Sequence, residues 1–327
     1  MEKYHITWWN VENLFDVRNS PDRPAYLQSR LNRELKGWTQ QVLNKKLVQL
    51  SKIISQLNEG KGPDLLGLCE VENKNVLTQL VSKLSPLNRN YKVAHHSAED
   101  LRGIDVAFIY DADLFDLEEQ FHHVILKRSA TRDLFQVNLR TKRKSNPLIV
   151  IGNHWPARSA GVYESEPYRI MAGETLSYWM ERIFEIRGNN IPVLIMGDFN
   201  DECYNRSLQE YALSTVSLQK VRFARIPRLY NLMWKVTGSG TGTFYFNNFP
   251  YVLDQFLVSR QLIFKNSPLR MGILPNGEHA KVEKFPEKVS GGAYPSPIRF
   301  GRPASSVYNP ETGFSDHYPV SMVIEEK

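Results

Sequence analysis

The sequence has few cysteines and no long hydrophobic segment. Only Cys69 and Cys203 occur among its 327 residues, too few for a disulfide-stabilised scaffold or a cysteine-rich zinc module. No apolar run reaches the roughly 18 residues that a membrane helix needs, and the N-terminal residues MEKYHITWWN lack the apolar stretch of a signal peptide. A cytoplasmic location is the default expectation, whereas a secreted or periplasmic one would apply if a leader had been removed.

Several common catalytic motifs are also missing. The sequence contains no GxxxxGK[ST], GxSxG or HExxH. The glycine-rich segment GSGTGTF at 238–244 leads into a β-like run and not a helix, so it is not predicted to hold a nucleotide. The pairs His95–His96 and His122–His123 do not predict a zinc site, because adjacent residues of a strand point to opposite faces of the sheet.

The composition is that of a globular protein with a modest excess of positive charge. Hydrophobic residues make up 42% and charged residues 23%, which excludes wholesale disorder, collagen-like chains and membrane-spanning chains. The net charge is +6, with basic residues concentrated in segments 127–144 and 219–230. Each segment is either one face of a polyanion-binding surface or an ordinary solvated surface. On the first interpretation Arg140, Lys142, Arg143 and Lys144 line a groove for a phosphate backbone.

Short β-rich runs alternate with helical patterns along the chain. Leucines and isoleucines at three- and four-residue spacings predict a helix over 38–57, and similar patterns predict helices over 73–84 and 166–186. The interleaving is typical of layered sheets covered by helices. No linker divides the chain, so residues 1–327 are interpreted as a single domain. Segment 265–315 holds 13 of the 37 glycine and proline residues and is predicted to be a long surface excursion.

Polar side chains occur at the ends of the predicted strands. These side chains are Asn10, Glu70, His154, Asp198 with Asn200, Asp254, and Asp316 with His317. If the strands at 251–259 and 318–324 run antiparallel to the others, all of these groups meet at one edge of the sheets. Asp198 and Asn200 are two residues apart, so in an extended segment they point the same way.

A group of carboxylates, amides and imidazoles at one edge has a defined chemistry. Carboxylate oxygens suit a hard cation such as Mg²⁺ or Mn²⁺ and not a thiolate-bound metal. Such a cation neutralises phosphate oxygens and a leaving alkoxide, while a carboxylate or imidazole positions or deprotonates water. The pattern therefore predicts hydrolysis of phosphate esters.

Seven segments in this order resemble the signature of the endonuclease/exonuclease/phosphatase superfamily, and NVENLFD resembles most closely its bacterial branch of predicted extracellular nucleases. The segments are NVENLFD (10–16), GLCEVEN (67–73), GIDVAFIY (103–110), NHWPAR (153–158), GDFND (197–201), LDQFLVS (253–259) and SDHYPV (315–320). The resemblance runs from residue 6 to about 324. It implies an α/β (α+β) four-layer sandwich, the DNase-I-like fold, in which two packed mixed β-sheets are flanked by helices, and a Mg²⁺-dependent site at one edge.

The resemblance also implies a role for each matching residue. Glu70 would be the principal metal ligand, with Asn10 and Asp316 close by. Asp198 would orient or deprotonate water, and Asn200 would hold that water or the phosphate. His317, oriented by Asp254, and His154 would contact the phosphate.

Four further positions are open to two interpretations. Glu12 is either a metal-proximal acid or a solvated carboxylate at a strand end, and Asp105 either orients His154 or lies on a sheet face. Arg158 either clamps a phosphate or is a surface arginine, and the same alternatives hold for Arg102.

Three functions compete on this sequence. The first is a nuclease, supported by the basic segments and by the histidine of NHWPAR. The second is a phosphatase or a phospholipase-C-like phosphodiesterase acting on small or lipid phosphates, because one fold hosts many substrates. The third is a non-catalytic nucleic-acid-binding protein, the least favoured because every expected catalytic position holds a competent residue. No protein partner and no membrane span are predicted.

Overall fold

The computed structural model describes residues 1–128, 130–291 and 295–327. Ser129, in the first basic segment, and residues 292–294, in the glycine- and proline-rich segment, lie outside this description. The strands are β1 (Glu2–Leu14), β2 (Leu65–Val71), β3 (Tyr91–His95), β4 (Asp105–Asp111), β5 (Phe115–His123), β6 (Leu134–Thr141), β7 (Pro147–His154), β8 (Val193–Asp198), β9 (Ser214–Thr215), β10 (Leu229–Asn231), β11 (Phe244–Phe246), β12 (Phe249–Tyr251), β13 (Asp254–Val258), β14 (Leu269–Met271), β15 (Ala280–Val282) and β16 (Val320–Glu326). The helices are α1 (Ala25–Glu34), α2 (Gln40–Gly60), α3 (Lys74–Lys83), α4 (Val162–Arg187), α5 (Leu218–Arg222) and α6 (Arg260–Ile263).

The strands form two large mixed sheets. The first has the order β14-β16-β1-β2-β4-β3, with β15 also paired to β16, and the second has the order β5-β6-β7-β8-β13-β10-β9. Within them β1 is parallel to β2 and β7 to β8. The two strands whose antiparallel direction the sequence argument required, β13 and β16, do pair antiparallel with β8 and β1.

Three apolar layers hold the sandwich together. The inner faces of the sheets enclose large buried side chains such as Trp8, Phe108 and Met196. Leucines and isoleucines of α2 and α3 cover the first sheet, and α4 covers the second sheet around Trp155. Burial of this apolar surface is the main stabilising contribution. The arrangement of helix, sheet, sheet and helix confirms the predicted four-layer sandwich.

Close approach of neighbouring strands places the carboxyl ends of β7 and β8 side by side. Gly197 lies against Asn153 on the adjacent strand, and a Cβ at Gly197 would come within 2.5 Å of the Asn153 Cβ. Real Cβ atoms essentially never approach this closely, so a larger residue at 197 would push apart the two strands that carry His154 and Asp198.

The helical predictions are confirmed for α2, α3 and α4, although α4 begins at Val162, before the predicted start. The sequence patterns did not predict α1, whose inner face is only Leu27 and Leu31. Among the described residues no helix combines the length and the apolar character that a membrane crossing requires.

The glycine- and proline-rich segment is more integrated than a surface excursion. It supplies β14 and β15 to the first sheet. It also buries Phe300 and Lys288 completely, and the Lys288 ammonium donates to the Ser315 carbonyl at 2.9 Å. The segment therefore closes over the edge where the polar strand ends gather.

Candidate active site

Five strand ends bring the predicted polar groups to one edge of the sandwich, here called the rim. Asn10, Glu70 and His154 lie at the carboxyl ends of their strands, and Asp198 ends β8. Asp254 begins β13 and lies directly across from Asp198 in the antiparallel register, while His154 lies beside Asp198 in the parallel register. Strand direction and register therefore create the site.

The backbone at the rim departs from regular strand geometry. Glu12, Asn13, Glu70 and Asn200 have φ values of 53°, 56°, 64° and 50°, in the left-handed region that costs energy for residues other than glycine. The pairing of β1 with β2 shifts between Asn10 and Leu14, and β-bulges of this kind re-aim side chains near active sites. Four of the left-handed residues among the described parts of the chain thus lie at the rim, next to the predicted metal and phosphate positions.

Asp198 lies at the centre of the rim. Its Oδ2 accepts from Asn10 Nδ2 at 3.0 Å and its Oδ1 accepts from the Asn200 backbone N–H at 2.9 Å. Burial raises the pKa of Asp198 to about 6. Asn200 is not in an extended segment, as the two-residue spacing assumed, but in a left-handed turn, and its Nδ2 donates to the Trp155 carbonyl at 3.0 Å.

His317 is held by a buried carboxylate. Its Nδ1 lies 2.7 Å from Asp254 Oδ2, and the other oxygen of Asp254 accepts from Trp8 Nε1 at 3.0 Å. Burial disfavours the imidazolium, but Asp254 and Asp198 outweigh it and raise the pKa of His317 to about 10. The His317 Nε2 faces Asp198 Oδ2 at 3.9 Å, so a protonated ring aims its remaining N–H into the centre of the rim.

His154 has the opposite electrostatic state. It is fully buried, and burial together with the charges of Arg132 and Arg102 lowers its pKa well below the usual value. Its Nε2 lies 3.7 Å from Glu70 Oε1 and 3.8 Å from Asp198 Oδ2. Its buried Nδ1 has no hydrogen-bond partner in the described parts of the chain. The rim therefore combines one charged and one neutral imidazole.

The oxygen donors at one side of the rim fit a hard divalent cation. Glu70 and Asp316 line the same cavity. Glu70 Oε2 accepts from the Asn13 N–H at 2.9 Å, whereas its Oε1 has only a long 3.4 Å contact with Asn10 Nδ2. Burial and the charge of Glu12 raise the pKa of Asp316 to about 7, which indicates more negative charge than the neighbouring cations balance. Asn10 Oδ1 already accepts from the Glu12 N–H, so a cation would share that oxygen.

Glu12 does not have the second of its two predicted roles, that of a solvated carboxylate. It is buried, its Oε1 accepts from Arg299 Nε and its Oε2 from the Phe300 N–H, both at 2.9 Å. Arg299 in turn lies 3.3 Å from Asp316 Oδ2. Glu12 is therefore not a solvated strand-end carboxylate, because it anchors the 299–300 segment over the rim.

Asp105 does not orient His154. Its Oδ1 accepts from the Ala98 N–H at 3.0 Å and its Oδ2 lies 3.4 Å from His95 Nε2. The pairing of Val71 with Asp105 places it on β4, beside β2 and not beside β7. The prediction that Asp105 supports His154 was wrong.

The two predicted phosphate-binding arginines differ. Arg158 donates from Nε to the Asn200 carbonyl at 2.6 Å and from Nη2 to Asp201 at 2.9 Å, so its guanidinium holds the loop that positions Asn200. Arg102 lines the cavity beside Glu70; its Nε lies 3.6 Å from Asp100 Oδ1, and its Nη2 has no hydrogen-bond partner in the described residues. Because one nitrogen of its guanidinium is unused, Arg102 is the better candidate of the two to bind an anion.

Two cavities of different chemistry flank the rim. The arginine cavity, of about 660 Å³, adjoins Glu70 and Asp316. It includes the guanidinium groups of Arg30, Arg102, Arg299 and Arg302, and also the carboxylate of Glu34, which lies 2.9 Å from Arg30 and 3.3 Å from Arg302. The aromatic cavity, of about 540 Å³, adjoins Asn200. It includes Phe244, Phe246, Tyr251, Val162 and Leu253.

Among the described residues of the two basic segments only Arg132 lies beside the rim, where its Nη2 donates to the Trp155 carbonyl at 2.8 Å, and the residues of 140–144 do not line it. Arg140 lies opposite Pro147, at the end of the second sheet away from His154. Arg140 pairs with Glu118, Lys142 with Asp116 and Arg143 with Glu2. In the second segment, Tyr230 pairs with Val258, also at the end away from Asp254. The prediction of a backbone-binding groove at 140–144 is not supported.

Sequence reasoning missed several residues that shape the rim. Trp8 could have been found, since it lies two residues before Asn10 on the same face of β1. Phe244 stacks against His317 with ring centroids 4.9 Å apart. Arg299 carries no local signal, because it reaches Glu12 across 287 positions of sequence.

Comparison with known proteins agrees with this geometry. A model of the Endonuclease/Exonuclease/phosphatase family matches residues 5–326, and the chain belongs to this family. Its members are hydrolases that act on phosphate esters and typically use divalent metals. A sequence search of curated proteins finds no match.

Three solved structures illustrate the shared fold. A family protein from Bacteroides thetaiotaomicron is 14% identical, with a TM-score of 0.56 and coverage of 99% of this chain and 97% of that one. The catalytic domain of human Nocturnin, solved with a bound sulfate anion, is 15% identical, with a TM-score of 0.54 and coverage of 99% and 95%. A mannosyl-6-phosphatase from Bacteroides thetaiotaomicron is 15% identical, with a TM-score of 0.58 and coverage of 98% of each chain.

Proposed function

We propose that this protein is a divalent-metal-dependent phosphodiesterase that cleaves nucleic acid. The observation that carries the proposal is the position of the rim between the aromatic cavity and the arginine cavity. A nucleic-acid strand alternates flat bases with phosphates, so a base stacks on aromatic rings while the neighbouring phosphate meets guanidinium groups. The scissile phosphate then lies among Glu70, Asp198 and His317.

The chain's own residues supply proton transfer and charge stabilisation. Asp198, held by Asn10 and Asn200, positions a water molecule and accepts its proton as the oxygen attacks phosphorus. The His317 imidazolium, fixed by Asp254, donates its Nε2–H to a phosphate oxygen that gains negative charge in the transition state. Neutral His154 contributes a further hydrogen bond from the other side.

Glu70 and Asp316 are the residues that would hold Mg²⁺ or Mn²⁺, with Asn10 adjacent. A bound cation of this type neutralises phosphate oxygens and the leaving alkoxide. The two carboxylates would determine the position of that cation. Glu70 is itself held by the Asn13 N–H, and Asp316 is held by Arg299.

A second candidate is a phosphatase acting on a small phosphorylated molecule. The arginine cavity is large enough at about 660 Å³ to enclose a phosphorylated sugar. The fold similarity to a mannosyl-6-phosphatase makes this class a natural comparison.

One assay panel separates the two candidates. The protein with Mg²⁺ is incubated with a labelled single-stranded oligonucleotide, a bis-nitrophenyl phosphodiester and a sugar 6-phosphate. The proposal expects cleavage of the oligonucleotide and slower hydrolysis of the small diester. Release of phosphate from the sugar phosphate, with the oligonucleotide intact, would favour the second candidate.

A matched pair of variants sharpens the assay. Phe246, which is 60% exposed, lines the aromatic cavity, whereas Phe223 is 77% exposed and follows α5, away from the rim. Phe246→Ala should raise KM for the oligonucleotide by roughly fivefold or more, because stacking on one base contributes about 1–3 kcal/mol. Phe223→Ala should leave KM unchanged.

A further inference from the structure

A second cluster of histidines lies outside the rim. His96 follows β3, the edge strand of the first sheet, and His122 lies in β5, the edge strand of the second. Their imidazole rings stack with centroids 3.7 Å apart and planes inclined by 11°. Asp133, just before β6, places its Oδ2 at 3.9 Å from His96 Nε2. Three candidate ligands, two imidazoles and one carboxylate, thus converge from three segments.

Each adjacent histidine pair divides between two environments. His95 lies beside Asp105, whereas the His123 Nε2–H donates to Gln136 Oε1 and the ring stacks on Trp179. Only one histidine of each pair, His96 and His122, faces the gap between the sheet edges. Adjacent histidines of a strand point to opposite faces, which argued against zinc binding within one pair. The same alternation leaves one histidine of each pair, His96 and His122, close to the other.

We propose that His96, His122 and Asp133 bind a Zn²⁺ ion that links the edge strands of the two sheets. One ligand atom from each residue lies within 4.8 Å of the other two. Tetrahedral zinc with two imidazoles, one carboxylate and one water would bring these atoms to about 3.3 Å from one another. Side-chain rotations that move the ligand atoms by about an ångström or more would close the gap between these two distances. Imidazole nitrogen favours Zn²⁺ over the Mg²⁺ expected at the rim.

The surroundings of the cluster favour a cation. No hydrogen bond within the described residues occupies the ring nitrogens of His96 and His122 or the Asp133 carboxylate. Glu99 and Asp105 add negative charge near Asp133. Two imidazoles beside a carboxylate form a ligand set that suits Zn²⁺. His122 is exposed and His96 and Asp133 are half-buried, so the ion has access.

The test compares zinc binding by the wild type with three variants, using tag-free protein in millimolar Mg²⁺. The variants are His96→Ala/His122→Ala, Asp133→Asn, and the control His279→Ala, whose histidine contacts the Gly272 carbonyl elsewhere. Because the rim is intact in all of them, the difference in zinc stoichiometry reports only this cluster. Thermal unfolding with and without Zn²⁺ gives a second readout.

The proposal expects one more bound zinc in the wild type and in His279→Ala than in the double variant. Asp133→Asn should lower the affinity for that zinc ion by roughly tenfold or more. Zinc should raise Tm by several degrees in the wild type, an increase lost in the double variant. Co²⁺ in place of Zn²⁺ should give a tetrahedral visible spectrum that the double variant lacks. Equal zinc stoichiometry in wild type and double variant would overturn the proposal, whether or not the rim hydrolyses phosphate esters.

Discussion

The two ends of the β-sandwich both carry charged groups but pair them differently. At the end opposite the rim, Arg89 bridges Asp64 and Asp111 at 2.5 and 3.0 Å, and Arg140, Lys142 and Arg143 face acids on β5 and β1. Burial raises the pKa of Asp64, but the Arg89 guanidinium opposes that effect. At the rim, burial and neighbouring carboxylates raise the pKa values of Asp198 and Asp316 to about 6 and 7. Carboxylates gathered close together, and not the density of basic residues, mark the site.

Backbone geometry does not separate the two ends by itself. Glu12, Asn13, Glu70 and Asn200 adopt left-handed conformations at the rim. Asn58 and Glu59, which line a cavity with Asp64 and Arg89 at the opposite end, are left-handed as well. Left-handed residues at the rim therefore indicate a site only together with the charged side chains that they carry.

Removal of divalent metal should have the largest effect on activity, and it should act at the rim and not at the opposite end. A chelator should abolish hydrolysis, because the carboxylates of Glu70 and Asp316 alone repel a phosphate. Mg²⁺ or Mn²⁺ should restore activity, while the ion pairs at the opposite end should stay intact. Initial rates with and without chelator measure the effect, and full activity after exhaustive chelation would refute a metal role at the rim.

Substitution of the central carboxylate or imidazole should come next. Asp198→Asn and His317→Ala should each lower kcat by about 10² or more. Asp254→Asn should cost less than either, since it acts by orienting His317. Calorimetry should show Tm values close to wild type for Asp198→Asn, because it removes a poorly compensated buried charge. Retention of more than about a tenth of the kcat by Asp198→Asn would exclude a general-base role.

The opposite end should respond in stability and not in catalysis. Arg89→Leu leaves Asp64 and Asp111 without their shared partner, and breaking such an ion pair should cost about 3 kcal/mol. Denaturant unfolding measures the loss, while kcat per folded molecule should stay at the wild-type value. A fall in kcat with unchanged stability would mean that the two ends are not separable.

Substitution of basic residues at the two ends should change KM to different extents, by a smaller factor than the changes above. Arg102→Ser should raise KM for an oligonucleotide several-fold and flatten the salt dependence of binding, because each lost phosphate contact removes about 0.9 from the slope on duplex DNA. Replacement of Arg140, Lys142, Arg143 and Lys144 by Ser should leave both unchanged. If the fourfold replacement raised KM and flattened the salt dependence while Arg102→Ser changed neither, the backbone-binding groove would lie at segment 140–144.

The sequence predicted the rim better than it predicted the contacts around it. Asn10, Glu70, Asp198 and His317 could be found because strand ends gather at one edge when the strand directions are right. The contacts of Glu12 with Arg299 and of Asp105 with His95 could not, since they depend on bulges and on long-range packing. Asn200 was misplaced for the same reason, because its left-handed turn replaces an extended segment.

Charge runs misled for a different physical reason. A sequence shows which residues are basic but not which acids face them across a sheet, such as Glu118 opposite Arg140. The histidine pairs show the same limit, because His96 and His122 are 26 positions apart and meet only when the two sheets pack.

The most direct test of the account is a crystal structure of Asp198→Asn with Mn²⁺ and a short oligonucleotide. Asp198→Asn should bind substrate without turning it over, and the anomalous signal of Mn²⁺ locates the metal independently of any assumption. The account predicts a peak roughly 2 Å from the Glu70 carboxylate, with a phosphate between it and His317 and a base in the aromatic cavity. A metal and strand bound at the opposite end, against segment 140–144, would contradict it.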